Sequence, residues 1–468
     1  MKLFNTLTNR KEEFVPIKEG EVKMYVCGPT VYNFIHLGNA RPFTVFDVLR
    51  RYFIYKGNKV TYVQNFTDVD DKIINRSHEE GISPKEVADK YIAEYVTDAH
   101  GLGITDADVH PRVSETIPEI IEFIQGLIDS GHAYLSSDGS VYYRVNSFKD
   151  YGKLSHQSID DLMSGARVDV NESKEDPLDF ALWKAKKEGE PYWESPWGDG
   201  RPGWHIECSA MSKKYLGETI DIHSGGKDLV FPHHENEIAQ SEALSGKEFA
   251  HYWLHNGYIN VDNVKMSKSL GNFFTIRDIS EKFDLEVVRL FILSVQYRSP
   301  INFSDESLRQ QEAALERLYN VRNNLSYLLE GDRSASPMTE EEKAWTGELN
   351  ERLRLFEEDM EDDINTAGAL GEMFEMARII NSNASEASTK EALSEAMRIF
   401  MIPAGILGIL TKKKEEELLD EDIQKLIDER TEARKRKDFA RSDEIRDLLK
   451  AKGITLEDTR EGVKWRRN

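Results

Sequence analysis

One stretch limits the fold more than any other. Glu21-Val-Lys-Met-Tyr-Val26 alternates and then turns wholly apolar, which predicts a buried strand. From Ala40 to Phe53 the apolar residues recur at helical spacing. Between them lies Cys27-Gly-Pro-Thr-Val-Tyr-Asn-Phe-Ile-His-Leu-Gly-Asn39. One turn therefore leads from a buried strand into a helix, with a thiol at the strand end and His-x-Gly at the helix start. Free N–H groups and the positive dipole end make such a start a seat for phosphate. A thiol beside it suggests two ligands meeting there.

The rest of the first 125 residues continues in this grammar. Lys59 to Phe66 reads as a strand, and Asp71–Glu80 and Pro84–His100 as helices. This is the βαβ pattern of a parallel sheet with a crevice at its strand ends. Residues 115 to 200 read as an insertion: a helix at 117–130, a short strand at Gly139–Val145, then polar, turn-rich chain. The grammar returns with a helix over Trp204–Leu216, a strand over Thr219–Ser224, a helix from Pro232 to Leu244 and a strand over Gly257–Val261. From Asp305 the chain is helical, with Ser304 as cap, and it ends in helices at 421–437 and 438–452 and a short extended tail. The expected fold class is α/β, a Rossmann-type parallel-sheet catalytic domain with an insertion, then a helical bundle and a small C-terminal α+β domain. The expected divisions are 1–114 and 201–256 for the two catalytic halves, 115–200 for the insertion, 257–310 for the Lys265 loop region, 311–408 for the bundle and 409–468 for the tail.

No apolar run approaches the roughly 18 residues of a membrane helix, and the first residues lack a signal peptide's apolar region. A cytoplasmic protein without membrane contact is expected. The net charge of −23 argues against a nucleic-acid partner for the chain as a whole. Residues 401–468, however, hold 17 Lys+Arg and 16 Asp+Glu, net +1, and include Arg434-Lys-Arg-Lys437 and Arg466-Arg467. That permits an RNA contact in the tail.

Cys27 and Cys208 are the two cysteines of the chain. A structural disulfide is not expected in a cytosolic protein. They read either as unrelated thiols or as part of one metal site with His233 and Glu237, which lie four apart on a predicted helix and so share a face. Zinc accepts this mixture of sulfur, nitrogen and oxygen. The spacing leaves His234 open as a substitute and Glu235 or Glu237 as surface charges; His205 and His223 read as ordinary polar residues. A second constellation pairs His36-Leu-Gly-Asn39 with Lys265-Met-Ser-Lys-Ser269, two lysines and two serines before a Gly-Asn pair. Mobile ammonium groups can follow charge as a triphosphate rearranges.

The two constellations, in this order and about 230 residues apart, resemble the paired motifs of the class I aminoacyl-tRNA synthetases. Met24–Tyr32, Asn65–Lys72, Gly200–Ser209, Phe231–Gln240 and the tail from Gly453 to Trp465 resemble the cysteine-specific family within that class. The resemblance spans nearly the whole chain. It implies one zinc ion at Cys27, Cys208, His233 and Glu237, binding the substrate thiolate rather than activating water, and hence no editing domain. It implies magnesium-ATP handled by His36, Gly38, Asn39, Lys265, Ser267 and Lys268, with His36, Asn39, Lys265 and Lys268 catalytic. It implies cysteine or its adenylate at Gly28, Thr67, Trp204, Gly226 and Asp228. Its other partner is tRNA(Cys), for which Arg434, Arg441, Trp465 and Arg466 are the candidates, and a monomer is expected. The family motif ends in His where this chain has Asn39, which donates a hydrogen bond but carries no proton charge. Two rival readings are a ligase joining cysteine to an amino-sugar and a catalytically inactive, zinc-stabilised RNA-binding protein.

Overall fold

The computed structural model describes residues 1–158, 173–261, 264–265, 273–331, 336–412, 420–436, 438–451, 454–459 and 462–467. They form two compact units, Met1–Thr411 and Lys412–Asn468.

After a hairpin of β1 (Lys2–Asn5) and β2 (Arg10–Glu13), the first unit is built on a four-stranded parallel sheet of β3 (Glu21–Val26), β4 (Lys59–Gln64), β9 (Ile220–Gly226) and β10 (Ala250–Asn256), in the order β10-β9-β3-β4, with helices α2 (Asp71–Glu80) and α3 (Pro84–Gly101) following β4. Side chains alternate along β3. Val22, Met24 and Val26 pack with helix α1 (Leu37–Tyr55) and the helical region. Tyr25 and the following Cys27 face the opposite layer, formed by α4 (Ile117–Asp129), α5 (Trp204–Leu216) and α6 (Glu235–Ser245). The pleat thus decides which layer the Cys27 thiol meets.

Several elements fall where periodicity puts them, and others do not. Strand β10 reads Ala-His-Tyr-Trp-Leu-His-Asn and is buried along most of its length, so it has no alternation to betray it. The strand expected over Gly257–Val261 is β11 (Ile259–Val261), and it belongs to a separate small sheet with β12 (Val264–Lys265) and β13 (Ile301–Phe303). The insertion holds an antiparallel sheet of β5 (Ala133–Leu135), β6 (Val141–Tyr143), β7 (Phe180–Ala185) and β8 (Gly200–Pro202), of which sequence analysis expected one strand. Three-residue strands are too short to show a period. The helix expected from Pro232 begins at Glu235; before it, Val230–His234 makes a wider turn with Phe231 extended. In the second unit, helices over Asp420–Lys435 and Phe439–Ala451 pack Ile423, Ile427, Ile445 and Leu449 together with Ile454 from a hairpin of Ile454–Thr459 and Gly462–Arg467.

A buried ion pair ties α1 to two later helices. The Arg289 guanidinium, on the helix Leu285–Leu293, donates to Asp47 Oδ2 on α1 at 2.6 Å, to Leu407 O at 2.6 Å and to Leu102 O at 3.1 Å. Burial alone would raise the Asp47 carboxyl, but Arg289 and Arg51 hold it below its ordinary value. Its folded value lies under the unfolded one of about 3.9. The stabilisation is therefore complete above that pH and is lost as pH falls through the folded value. Arg289→Met is expected to cost about 3–5 kcal/mol by removing the buried partner of Asp47 and leaving that carboxylate to Arg51, which is partly exposed. Urea unfolding at pH 7 measures the loss, which should shrink at acidic pH.

Candidate active site

A cleft of about 350 Å³ opens where β3 and β9 end. Its walls include Gly28, His36, Gly38, Asn39, Trp204, Gly226, Asp228 and the Asn256–Ile259 segment.

At the α1 end, His36 is the N-cap. Its Nδ1 accepts from the Asn39 N–H at 3.2 Å, and Asn39 Oδ1 accepts from the His36 N–H at 3.3 Å. This reciprocal cap leaves Nε2 as the protonated ring nitrogen of a neutral His36. It also gives Asn39 a structural task that its amide performs without a charge. Segment 273–276 lies against the same turn: Leu37 N–H donates to Phe274 O, Ile276 N–H to Ile35 O, and the His36 ring meets Phe273 edge-on at 4.8 Å. Lys265 is paired through its backbone with Asn260. Ser267 and Lys268 lie outside the described residues, as does the Lys265 side chain.

At the inner end, Cys27, Cys208, His233 and Glu237 each offer one ligand atom, all within 4.8 Å of one another and all buried. The two sulfurs are 3.9 Å apart, Cys27 Sγ is 3.6 Å from Glu237 Oε1, and His233 Nε2 is 3.1 Å from that oxygen. A carboxylate sealed from water needs a positive partner, and the thiols beside it become thiolates when a cation binds them. The donor set of two sulfurs, one imidazole and one carboxylate fits zinc. The charges reflect the crowding. The hydrogen bond from Cys27 carries the Cys208 thiol down to about 6 against burial, and burial pushes Cys27 up. Burial opposes both remaining shifts: His223 and His233 still hold Glu237 at about 2, and Glu237 with Cys208 lifts His233 to about 10.

A second set, Cys27, His223, His234 and Glu237, also converges. It shares two ligands with the first but faces inward: the rings of His223 and His234 lie 4.5 and 5.4 Å from buried Trp253. His233 instead lies 4.2 Å from Trp204, which is 39% exposed and lines the cleft. By sequence His223 reads as an ordinary polar residue. In the structure its Nε2 bonds Glu237 Oε2 at 2.8 Å and orients that carboxylate. His223→Ala is expected to weaken metal affinity by about 10–100-fold, read by competition with a chromophoric chelator.

The expected substrate residues divide. Gly28, Trp204, Gly226 and Asp228 line the cleft. Thr67 is buried, pairs through its backbone with Thr30, and its hydroxyl donates to Glu207 Oε2 at 3.2 Å. Asn65, which sequence reasoning did not single out, accepts from the Gly28 N–H at 2.9 Å and donates to the Thr67 hydroxyl at 3.2 Å. In the second unit, Arg434 is exposed, and Arg441 pairs with Glu429 and Glu444. The side chains of Trp465 and Arg466 lie outside the described residues; their backbones pair with Leu456 and Thr455.

Solved structures share this fold. A Mycobacterium tuberculosis methionyl-tRNA synthetase in complex with methionyl-adenylate matches with a TM-score of 0.63 at 14% identity, over 84% of this chain and 92% of that one. A LeuRS from Agrobacterium radiobacter K84, in a ternary complex with tRNA and LeuAMS, matches with a TM-score of 0.63 at 12% identity, over 85% of each chain. The family model for the class I (C) tRNA synthetase catalytic domain matches residues 13–313, so the protein is a class I aminoacyl-tRNA synthetase by fold and by sequence. A DALR domain matches 355–411, and the cysteinyl-tRNA ligase anticodon binding domain matches 416–466. The cysteine–tRNA ligase of Clostridioides difficile (strain 630) is 61% identical over the full length of both chains, and that of Lachnospira eligens is 56% identical, also over the full length of both. The chain belongs to the cysteine–tRNA ligase family, and it is a ligase. The anticodon-domain match goes with this assignment and not with the amino-sugar ligase. Among the described residues no helix is long and apolar enough to cross a membrane.

Proposed function

We propose that the chain activates L-cysteine with ATP and transfers it to tRNA(Cys), and that it selects cysteine through zinc held by Cys27, Cys208, His233 and Glu237. The convergence of those four donors at the inner end of the cleft carries this reading. When bound, the zinc supplies a soft cation that favours the substrate sulfur as thiolate over a hydroxyl of similar size.

The other steps belong to the chain's own residues. Trp204, Gly226 and Asp228 close around the amino acid, and Gly28 lets the cleft floor pack against the Asn65 backbone: a Cβ there would stand 1.7 Å from Asn65 O. Thr67 acts on the floor from beneath. The substrate carboxylate attacks the α-phosphorus of ATP, giving cysteinyl-adenylate and pyrophosphate. A terminal ribose hydroxyl of tRNA then attacks the carbonyl and releases AMP. No enzyme nucleophile is needed, so the catalytic work is positioning and electrostatics. His36, through Nε2, Gly38 and Asn39 receive the nucleotide at the start of α1. Lys265, Ser267 and Lys268 follow the phosphates, with magnesium accompanying ATP. Arg434, Arg441, Trp465 and Arg466 read the anticodon, where unpaired bases are gripped by stacking and charge. The reduced, buried cysteines suit the cytoplasm.

ATP–pyrophosphate exchange tests the reading. Exchange should depend on cysteine and not on serine, and tRNA(Cys) should be charged by the same preparation. Equal exchange with both amino acids would overturn it.

A further inference from the structure

Arg41 lies on α1, two residues beyond Asn39, and its side chain is fully buried. Its Nη1 donates to Gly257 O and Tyr258 O, both at 2.9 Å, and its Nη2 to Ser299 O at 2.6 Å and Gln296 O at 3.4 Å. No carboxylate among the described residues offsets its charge, and burial draws the guanidinium down to about 10. A buried cation is costly unless hydrogen bonds satisfy it, and here the acceptors that do so are backbone carbonyls of two separate turns. What a planar guanidinium can do, and an apolar chain cannot, is hold two separate turns at a set distance.

Those two turns belong to the nucleotide end of the cleft. Gly257 and Tyr258 line the same cleft as His36 and Asn39. They lead directly into β11, whose partner β12 ends at Lys265. The 296–299 turn leads into β13, the other partner of β11. That turn is clamped from its far side by Asp363: its Oδ1 accepts from the Tyr297 hydroxyl at 3.1 Å, its Oδ2 from Arg298 Nε at 2.7 Å, and its carbonyl from Gln296 Nε2 at 2.7 Å. Gly257 meets the turn so closely that a Cβ would stand 2.6 Å from both Arg298 O and Ser299 O. The small sheet is therefore seated on a fixed turn, and Arg41 ties the start of α1 to both.

We propose that Arg41 is a positioning residue for adenylate formation, setting the distance between the His36–Asn39 turn and the sheet that carries Lys265. The proposal rests on the reading that ATP binds between those two elements. In a reaction run by positioning, displacing one wall by about 1 Å costs on the order of 10²-fold in rate.

Arg41→Met and Arg41→Lys in the full-length, zinc-loaded enzyme test this through cysteine-dependent pyrophosphate exchange, with metal content and the unfolding midpoint measured alongside. The expected result for Arg41→Met is a kcat lower by about 10²-fold and a raised KM for ATP, with the KM for cysteine and one zinc per chain unchanged. Arg41→Lys, which keeps the charge and some of the donors, should recover part of the kcat. A folded Arg41→Met with wild-type kcat and KM for ATP would overturn the proposal. So would a loss that falls equally on cysteine and ATP, which marks a merely structural role. Should both variants melt below the assay temperature, Gly257→Ala pushes the same turns apart with the guanidinium intact; it must show the same split between ATP and cysteine, and its absence overturns the proposal. A wild-type chain inactive in exchange would sink the reading of the cleft itself, whereas an active wild type with an equally active Arg41→Met sinks Arg41 alone.

Discussion

Cys208→Ser is expected to lose cysteine activation by about 10³-fold, equivalent to ~4 kcal/mol of transition-state stabilisation. The thiol sits on α5, 2% exposed, and faces Cys27 across 3.9 Å. Serine at this position removes one of two sulfur donors without adding bulk, so the helix and its packing stay as they are. Metal analysis should show less than one zinc per chain, and the residual activity should be less selective. A pocket that measures shape alone separates cysteine from serine by only about 10–200-fold, and the metal-poor enzyme should fall into that range. Chelation of the wild type should reproduce the effect, and added zinc should reverse it. ATP affinity should change little, because the His36–Asn39 cap draws on none of the four metal donors.

Lys268→Ala is expected to lower kcat for adenylate formation by about 10²–10³-fold while leaving the KM for cysteine near its wild-type value. A lysine that meets the phosphates as charge builds on them stabilises the transition state more than bound ATP, so its loss appears in kcat. Presteady-state measurement of adenylate formation separates this from slow product release. A large rise in the KM for ATP with kcat unchanged would mean that Lys268 binds the ground state instead.

What the amino-acid order revealed depended on the range over which each signal acts. The strand, turn and helix around Cys27 were legible because β3, the turn and α1 are contiguous and each has its own period. The candidate metal donors were legible as residue types and as a His233–Glu237 pair. That the Cys27 thiol meets α5 and α6 follows from the pleat of β3, yet the two overlapping ligand sets, one beside Trp204 and the other beside Trp253, emerge only when separate elements come together. His223 escaped notice because it sits in a buried strand, where a lone histidine looks like any polar residue until Glu237 is brought to it by a different element. Asn65 and Arg41 escaped for the same reason: their partners lie on Gly28, Thr67, Gly257 and Ser299, which no local pattern connects. β10 was missed because burial on both faces removed its alternation, and β5 and β8 of the insertion's sheet because three residues are too few to show a period.

Zinc-edge X-ray absorption, recorded with and without L-cysteine, bears most directly on how the substrate is chosen. Two sulfur scatterers at ~2.3 Å are expected in the resting enzyme, from Cys27 and Cys208, rising to three when cysteine is added and remaining at two with serine. A sulfur count that stays at two in the presence of saturating cysteine would contradict the account, because the amino acid would then be recognised without its sulfur touching the ion.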